Sequence, residues 1–184
     1  LLIDYNLHRY SSRSTVGGMT GLFGIVRKHF LNTPFAKSMG LKDGHLSANS
    51  DLGRCPNCEG KGVNIVEMQF LEDIILKCED CNGTKLKPLY SSLSDGEMTV
   101  NDAYSNSLNE IIEKIKLTPK FRRICDYMKI LNIDYLSLDR TVKSLSGGEK
   151  QRLYLLSKIQ SEVKNKLIIM ENISFGLSRD ELES

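Results

Sequence analysis

The sequence predicts an α+β fold: a helical subdomain with an inserted zinc-bound β-hairpin, flanked by strands of a truncated α/β core. Three observations support this prediction. Apolar residues recur at helical spacing in several stretches of the second half. Two C-x-x-C pairs enclose two short strand-like runs. Continuous apolar runs at Leu1–Ile3 and Leu167–Met170 are typical of buried parallel strands. The predicted parts are residues 1–52, 53–95, 96–165 and 166–184.

Composition excludes several classes of protein. The chain has 184 residues, a net charge of +2 and 40% hydrophobic residues, as in ordinary globular proteins. No apolar run approaches the roughly 20 residues that span a membrane, and Leu1–Ile3 is too short for a signal peptide. We therefore expect no membrane association. Because the sequence lacks a starting Met and opens in a strand-like run, we expect a fragment of a longer protein.

The stretch Leu145–Arg152 predicts the start of a helix that binds an anion. Ser146 and Glu149 form an S-x-x-E capping box, and an apolar face follows it at Leu153, Leu156 and Ile159. Gly147 and Gly148 keep side chains away from the first turn, so backbone N–H groups and the positive end of the helix dipole face outward. Because glycine weakens a purely structural helix start, a phosphate site is favoured over a plain capped helix.

The cysteines predict a structural metal site. Two C-x-x-C pairs are separated by nineteen residues and supply Cys55, Cys58, Cys78 and Cys81. Four thiolates complete a tetrahedral Zn²⁺ site and leave no open position, so the zinc is structural. This cysteine usage also favours a reducing, cytoplasmic location. The fifth cysteine, Cys125, lies on an apolar helix face and is expected in the core.

A β-hairpin is predicted between the two cysteine pairs. Its strands are Val63–Phe70 and Ile74–Lys77, joined by a turn at Leu71–Asp73. Three apolar side chains share one face: Val66, Met68 and Phe70. They can meet an opened base stack or pack on a neighbouring subdomain, and packing is the favoured interpretation.

A basic span precedes the cysteines. No Asp or Glu occurs from Asn6 to Lys42, whereas six Lys and Arg residues do. A span of one sign favours a surface that faces phosphates over a solvated basic face. The candidate nucleic-acid-binding residues are Arg9, Arg13, Arg27 and Lys28 in this span, together with Lys61 after the first cysteine pair.

Local signals predict the remaining elements. Thr20 caps a helix to about Phe30, and a capping box at Ser107 starts a second helix. Thr118 and Pro119 begin a third, which ends near Leu131. Three stretches are expected to be irregular: Asp4–Gly21, Lys37–Leu52 and Thr84–Val100.

The octet at Leu145–Arg152 resembles the signature sequence of ATP-binding cassette (ABC) ATPases. In that family, the signature N–H groups bind the γ-phosphate of ATP held on the partner cassette. The resemblance implies a nucleotide-binding role for Ser146, Gly147, Gly148 and Glu149. Together with the four-cysteine module, the chain resembles the second cassette of the UvrA family, the damage-recognition subunits of bacterial excinuclease. The other stretches that resemble it are Arg13–Ser14, Thr20–Phe23, Gly53–Cys55, Cys58–Val63, Val66–Leu71 and Leu167–Leu177.

The resemblance implies a fragment around one signature, with the zinc module inserted before it. Arg13 and the zinc hairpin would face DNA. The complete protein would use ATP and Mg²⁺, form a homodimer, load a UvrB-like partner and bind damaged double-stranded DNA. Backbone contacts and DNA deformability fit such recognition.

The sequence departs from the ATPase pattern in three places. No G-x-x-x-x-G-K-[ST] phosphate loop occurs. Tyr5 stands where the family has the Q-loop glutamine. Where the family has the Walker B Asp-Glu pair, this chain has Glu171-Asn172 or, in a register shifted by one residue, Met170-Glu171, and either register leaves one carboxylate. Glu171 can still hold Mg²⁺, but Asn172 cannot take a proton from water. We therefore expect an ATPase parent, and no hydrolysis by this chain alone.

Three interpretations remain open. The first is a UvrA-type repair ATPase. The second is a UvrA-like paralogue with a degenerate ATP site, acting in resistance or regulation, which Tyr5 and Asn172 favour. The third is a zinc-dependent protein-binding module, since Cys55–Gly62 resembles the cysteine-rich repeats of the DnaJ chaperone. Two C-x-x-C pairs are too few for that domain, and the octet has no place in it.

Overall fold

The computed structural model describes residues 2–3, 10–11, 13–68, 72–114, 118–160 and 169–170. The predictions at Tyr5, Arg9, Phe70, Glu171 and Asn172 lie outside these residues. The described chain is α+β, with the following elements: β1 Leu2–Ile3, α1 Val16–Met19, α2 Leu22–Leu31, α3 Pro34–Ser38, β2 Val63–Val66, β3 Ile74–Lys77, α4 Pro88–Ser91, α5 Val100–Ser105, α6 Leu108–Lys114, α7 Pro119–Ile130, α8 Gly147–Gln160 and β4 Ile169–Met170.

The chain forms two compact units, residues 1–23 with 105–184 and residues 24–104. The four-part division at residues 52, 95 and 165 stays a prediction. In the first unit, α8 contacts α1 and α7, and α7 also contacts α6. The helices meet through apolar side chains that are buried: Leu108, Ile111, Phe121, Ile124, Met128, Leu153 and Leu156.

In the first unit, the predicted cap of α7 and the two predicted parallel strands are confirmed. The Thr118 hydroxyl accepts the N–H of Phe121 at 3.2 Å, and Pro119 occupies the first turn of α7. Strands β1 and β4 pair in parallel, with Leu2 opposite Ile169. A local sequence pattern was sufficient to predict the cap and the strands, because a helix cap and an apolar run each involve only a few neighbouring residues.

The prediction of an irregular Asp4–Gly21 is wrong at α1. Thr15 caps this short helix and accepts the N–H of Gly18 at 3.3 Å. Gly17 donates its N–H to the carbonyl of Leu138 at 2.8 Å. A Cβ at position 17 would lie 3.0 Å from the Leu138 oxygen, so glycine permits this close backbone approach.

The second unit has its own core. Buried apolar residues line it: Val26, Phe30, Ala36, Leu46, Leu86, Leu93, Met98, Val100 and Ala103. The buried hydroxyl of Tyr104 donates to the carbonyl of Leu46 at 2.7 Å, which joins α5 to the turn at Asp43–Leu46. The predicted helix near Thr20 is confirmed as α2.

Two segments of this unit were wrongly predicted to be irregular. In the segment Lys37–Leu52, the structure has the end of helix α3 and a 3₁₀ turn at Asp43–Leu46. In the segment Thr84–Val100, it has helix α4. Thr33 and Pro34 follow the end of α2 and start α3, because the Thr33 hydroxyl accepts the N–H of Ala36. Such one-turn helices carry too few residues to show a period.

Candidate metal centre and anion site

The four predicted cysteine ligands lie together. All four Sγ atoms are within 4.8 Å of one another, with Cys55–Cys78 at 3.9 Å and Cys58–Cys81 at 3.6 Å. Sulfur atoms at the usual zinc–sulfur bond length of about 2.3 Å form a regular tetrahedron with edges of about 3.8 Å. The cluster therefore has the size that a tetrahedral metal such as Zn²⁺ requires.

The chemistry of these thiols also suits a cation. All four side chains are buried. Burial raises the pKa of Cys81 to about 12 and raises the pKa of Cys55 above its ordinary value. The pKa of Cys78 is lowered instead, mainly because its sulfur accepts a hydrogen bond from the backbone N–H of Cys81. A divalent metal stabilises the deprotonated thiols that burial disfavours. The N–H of Gly62 donates to the Cys58 sulfur at 3.2 Å, as an outer partner of a ligand.

Each C-x-x-C pair is followed by a turn in the left-handed region. Glu59 and Gly60 follow the first pair with positive φ, and Asn82 and Gly83 follow the second. A Cβ on Gly60 would lie 2.2 Å from the carbonyl oxygen of Ala48. Glycine is therefore required at Gly60 both by φ and by close backbone approach.

The hairpin between the pairs is confirmed, with a shorter first strand. Strands β2 and β3 are antiparallel, with Val63 opposite Lys77 and Val66 opposite Ile74. Strand β2 ends at Val66, so the prediction that it reaches Phe70 is not met in the described residues. Val66 and Met68 are 43% and 38% exposed, so the favoured interpretation of packing on a neighbouring subdomain is not met for these two side chains in the part of the chain that the structure describes. Other apolar residues of the hairpin are exposed as well: Ile65, Ile74, Ile75 and Leu76.

The predicted capping box starts α8. Ser146 Oγ accepts the N–H of Glu149 at 3.2 Å, and Glu149 Oε2 accepts the N–H of Ser146 at 2.6 Å. The N–H groups in the first turn of a helix have no acceptor within it. Gly147 and Gly148 occupy the first two positions of α8, and the described residues show no acceptor for their N–H groups. This helix start can bind an anion.

Sequence reasoning missed one residue of this site. The hydroxyl of Tyr135 donates to Glu149 Oε1 at 2.6 Å, from fourteen residues upstream. Burial raises the pKa of Glu149, but hydrogen bonds from Tyr135 and Ser146 outweigh it and leave the pKa below its ordinary value. Glu149 is therefore an anion at neutral pH with both oxygens occupied. No local motif connects Tyr135 to the octet, so only the fold reveals this contact.

Comparison with known proteins identifies the family. UvrABC system protein A of Malacoplasma penetrans is 36% identical over 171 residues, which are 90% of this chain and 17% of the relative. The Streptococcus pneumoniae protein is 31% identical over 98% of this chain and 19% of its own length. The Aquifex aeolicus protein is 30% identical over 98% of this chain and 20% of its own. The chain belongs to the UvrA family.

The UvrA assignment is supported by a solved structure. UvrA2 from Deinococcus radiodurans superposes with a TM-score of 0.86 at 28% identity, over 100% of this chain and 23% of that one. The chain thus spans about a fifth of the length of the curated UvrA relatives it matches. No protein-family profile matches it.

The basic residues predicted to bind DNA in this UvrA segment have different surroundings. Arg13, Lys28 and Lys61 are exposed. Arg27 donates to Asp43 at 2.8 Å, so part of its hydrogen-bonding capacity is used inside the chain. Arg9 lies outside the described residues. DNA contact by these residues stays a prediction.

The UvrA segment was also expected to have no membrane association. In the part of the chain that the structure describes, no helix has both the length and the apolar character needed to cross a membrane.

Proposed function

We propose that the chain is the signature region of a UvrA-type ABC ATPase that binds damaged duplex DNA in nucleotide excision repair. The start of α8 carries this proposal. Its capping box is closed by two hydrogen bonds, and the glycine N–H groups beside it have no acceptor in the described residues. A helix start with this arrangement favours phosphate over a purely structural role.

In this proposal, Ser146, Gly147 and Gly148 contact the γ-phosphate of ATP held on a partner cassette, and Glu149 caps the helix that presents them. Glu171 would hold Mg²⁺, which neutralises phosphate charge when it is bound. Asn172 cannot accept a proton from water, so the site that uses this Walker B segment would hydrolyse ATP poorly. Zn²⁺ would be held by the four cysteines in a purely structural role.

The DNA part of the proposal depends on the zinc hairpin and the basic residues. Exposed apolar side chains on β2 and β3 can meet bases that a lesion has unstacked. Arg9, Arg13, Lys28 and Lys61 would contact phosphates, and Arg27 would have to share its guanidinium with Asp43. Contacts with phosphates and with unstacked bases respond to how easily the DNA is deformed and not to its base sequence.

A homodimer, a UvrB-like partner and a cytoplasmic location complete the proposal for the whole protein. They come from the family resemblance and from the cysteine usage. The chain holds about a fifth of its relatives' length, so these statements concern the complete protein.

Fluorescence anisotropy tests the DNA proposal. The zinc-loaded chain is titrated with a labelled duplex that carries one bulky lesion and with its undamaged twin, each at low and moderate salt. We expect tighter binding to the lesion and binding that weakens steeply with salt. Lys61→Ala should weaken binding to both duplexes and reduce the salt slope by about 1.

Lys120→Ala is the matched control, because Lys120 is an exposed lysine of α7 outside the predicted DNA contacts. Equal effects of the two variants would show non-specific attraction to charge. No binding at low salt would remove the DNA proposal from this region of the protein.

The alternative of a resistance or regulatory paralogue is favoured by Tyr5 and Asn172. In the complete protein, Glu171→Asp with Asn172→Glu restores the family's carboxylate pair, and we expect the ATPase rate to rise. An unchanged rate would contradict the inference that Asn172 limits hydrolysis.

A further inference from the structure

A buried carboxylate lies in the first turn of α8, next to the N–H groups proposed to bind phosphate. This residue is Glu149, which is only 7% exposed. A negative charge so close to an anion site opposes phosphate, because like charges repel strongly where water is excluded. The site therefore needs the oxygens of this carboxylate to be held away from the N–H groups that are proposed to bind phosphate.

The structure shows where both carboxylate oxygens are held. Oε2 accepts the N–H of Ser146 at 2.6 Å, and Oε1 accepts the hydroxyl of Tyr135 at 2.6 Å. Neither oxygen uses a glycine N–H. Carboxylates readily accept hydrogen bonds from free N–H groups at helix starts. Without Tyr135, Oε1 would be an internal competitor for the N–H groups of Gly147 and Gly148.

The loop that carries Tyr135 is well anchored. Ile133 and Leu136, on either side of it, are fully buried. The N–H of Leu108 donates to the carbonyl of Asp134 at 3.2 Å, which ties the loop to the start of α6. The Tyr135 side chain itself remains half exposed, so its hydroxyl is held by the loop backbone and by Glu149.

The charges around this pair keep the tyrosine as the donor. Burial and the hydrogen bond to Glu149 raise the pKa of Tyr135, so its hydroxyl keeps its proton at neutral pH. The guanidinium of Arg140 favours the ionised form of Glu149. The pair is therefore a phenol donating to a carboxylate, which is a strong, charge-assisted hydrogen bond.

We propose that Tyr135 is a positioning residue of the anion site: its hydroxyl holds Glu149 Oε1 and thereby leaves the glycine N–H groups open to phosphate. This inference depends on the proposed function, because it concerns the same helix start. It adds a residue outside the signature octet to the site.

Inorganic phosphate is the probe that tests the inference. The ¹⁵N-labelled, zinc-loaded 184-residue chain is titrated with phosphate, and affinity is read from the amide shifts of Gly147 and Gly148. We expect Tyr135→Phe to weaken phosphate binding about tenfold, as loss of a hydrogen bond to a charged group does. Tyr127→Phe is the matched control, since Tyr127 is a partly buried tyrosine of α7 outside this site, and it should leave affinity unchanged.

A double-mutant cycle separates positioning from a general structural role. If Tyr135 acts through the carboxylate, Tyr135→Phe should have no further effect in a Glu149→Gln background. An equal loss in both backgrounds would overturn the inference. If Tyr135→Phe fails to fold, Glu149→Gln alone decides: a higher affinity for phosphate supports the inference that the carboxylate opposes phosphate, and an unchanged or lower affinity overturns it.

The outcomes also distinguish this inference from the proposed function. Glycine shifts that respond to phosphate equally in the unsubstituted chain and in Tyr135→Phe would overturn the role of Tyr135 and leave the anion site standing. No phosphate-dependent shift in the unsubstituted chain would overturn both.

Discussion

Replacing Cys78 with Ser should remove the metal and unfold the hairpin module. Cys78 is 0% exposed, and its sulfur lies 3.9 Å from that of Cys55. A serine hydroxyl is a far weaker zinc ligand than a thiolate, so the closed four-sulfur site is lost. Structural zinc contributes about 10–16 kcal/mol to small metal-binding modules at neutral pH. Even a third of this is comparable to the total stability of a domain, about 5–15 kcal/mol.

The assay measures zinc per chain together with unfolding. We expect one zinc in the unsubstituted chain, none in Cys78→Ser, and loss of the amide protection of β2 and β3 in the variant. Cys125→Ser is the matched control, because Cys125 is equally buried but lies outside the cluster. It should keep one zinc and lose only stability.

Zinc retained at one per chain in Cys78→Ser would refute the four-cysteine site. Equal loss of zinc in both variants would also refute it, since the loss would then reflect damage to the fold. Chelation of the unsubstituted chain should reproduce the Cys78→Ser result.

Two further predictions concern stability. The pKa of Glu149 is below its ordinary value in the folded chain, so its contribution is complete above the unfolded pKa and is lost as pH falls through the folded pKa. Urea unfolding across acidic pH should show this loss in the unsubstituted chain and a smaller loss in Glu149→Gln. Gly60→Ala should destabilise by about 2 kcal/mol or more, because φ is +80° and its Cβ would meet the Ala48 oxygen at 2.2 Å. Gly24→Ala in α2 should instead stabilise by about 0.5–1 kcal/mol, since a Cβ there has open space.

Each of these predictions has a contrary result. Equal acid sensitivity in Glu149→Gln would show that another group carries the pH dependence. Gly60→Ala with unchanged stability would show that the turn after the first cysteine pair adjusts without cost. Destabilisation by Gly24→Ala would mean that the surface of α2 is covered at that position.

Features that arise from a few neighbouring residues could be predicted from the amino-acid sequence. The four-cysteine cluster followed from two C-x-x-C pairs, because four thiols at that spacing have few uses other than binding a metal. The start of α8 followed from Ser146 and Glu149, and that of α7 from Thr118 and Pro119, since caps act within one turn. Strands β1 and β4 were expected to be parallel strands from their apolar runs, and the structure shows that they pair with each other.

Contacts between residues that are distant in sequence could not be predicted and were revealed by the folded chain. Tyr135 reaches Glu149 because the loop between α7 and α8 folds back on the start of α8, and no local motif encodes that path. Gly17 is needed because the carbonyl of Leu138 approaches it, from more than a hundred residues away in sequence. The ion pair of Arg27 with Asp43, sixteen residues away in sequence, occupies part of the hydrogen-bonding capacity of that arginine. Patterns of spacing report which residues share a face, whereas packing decides which faces meet.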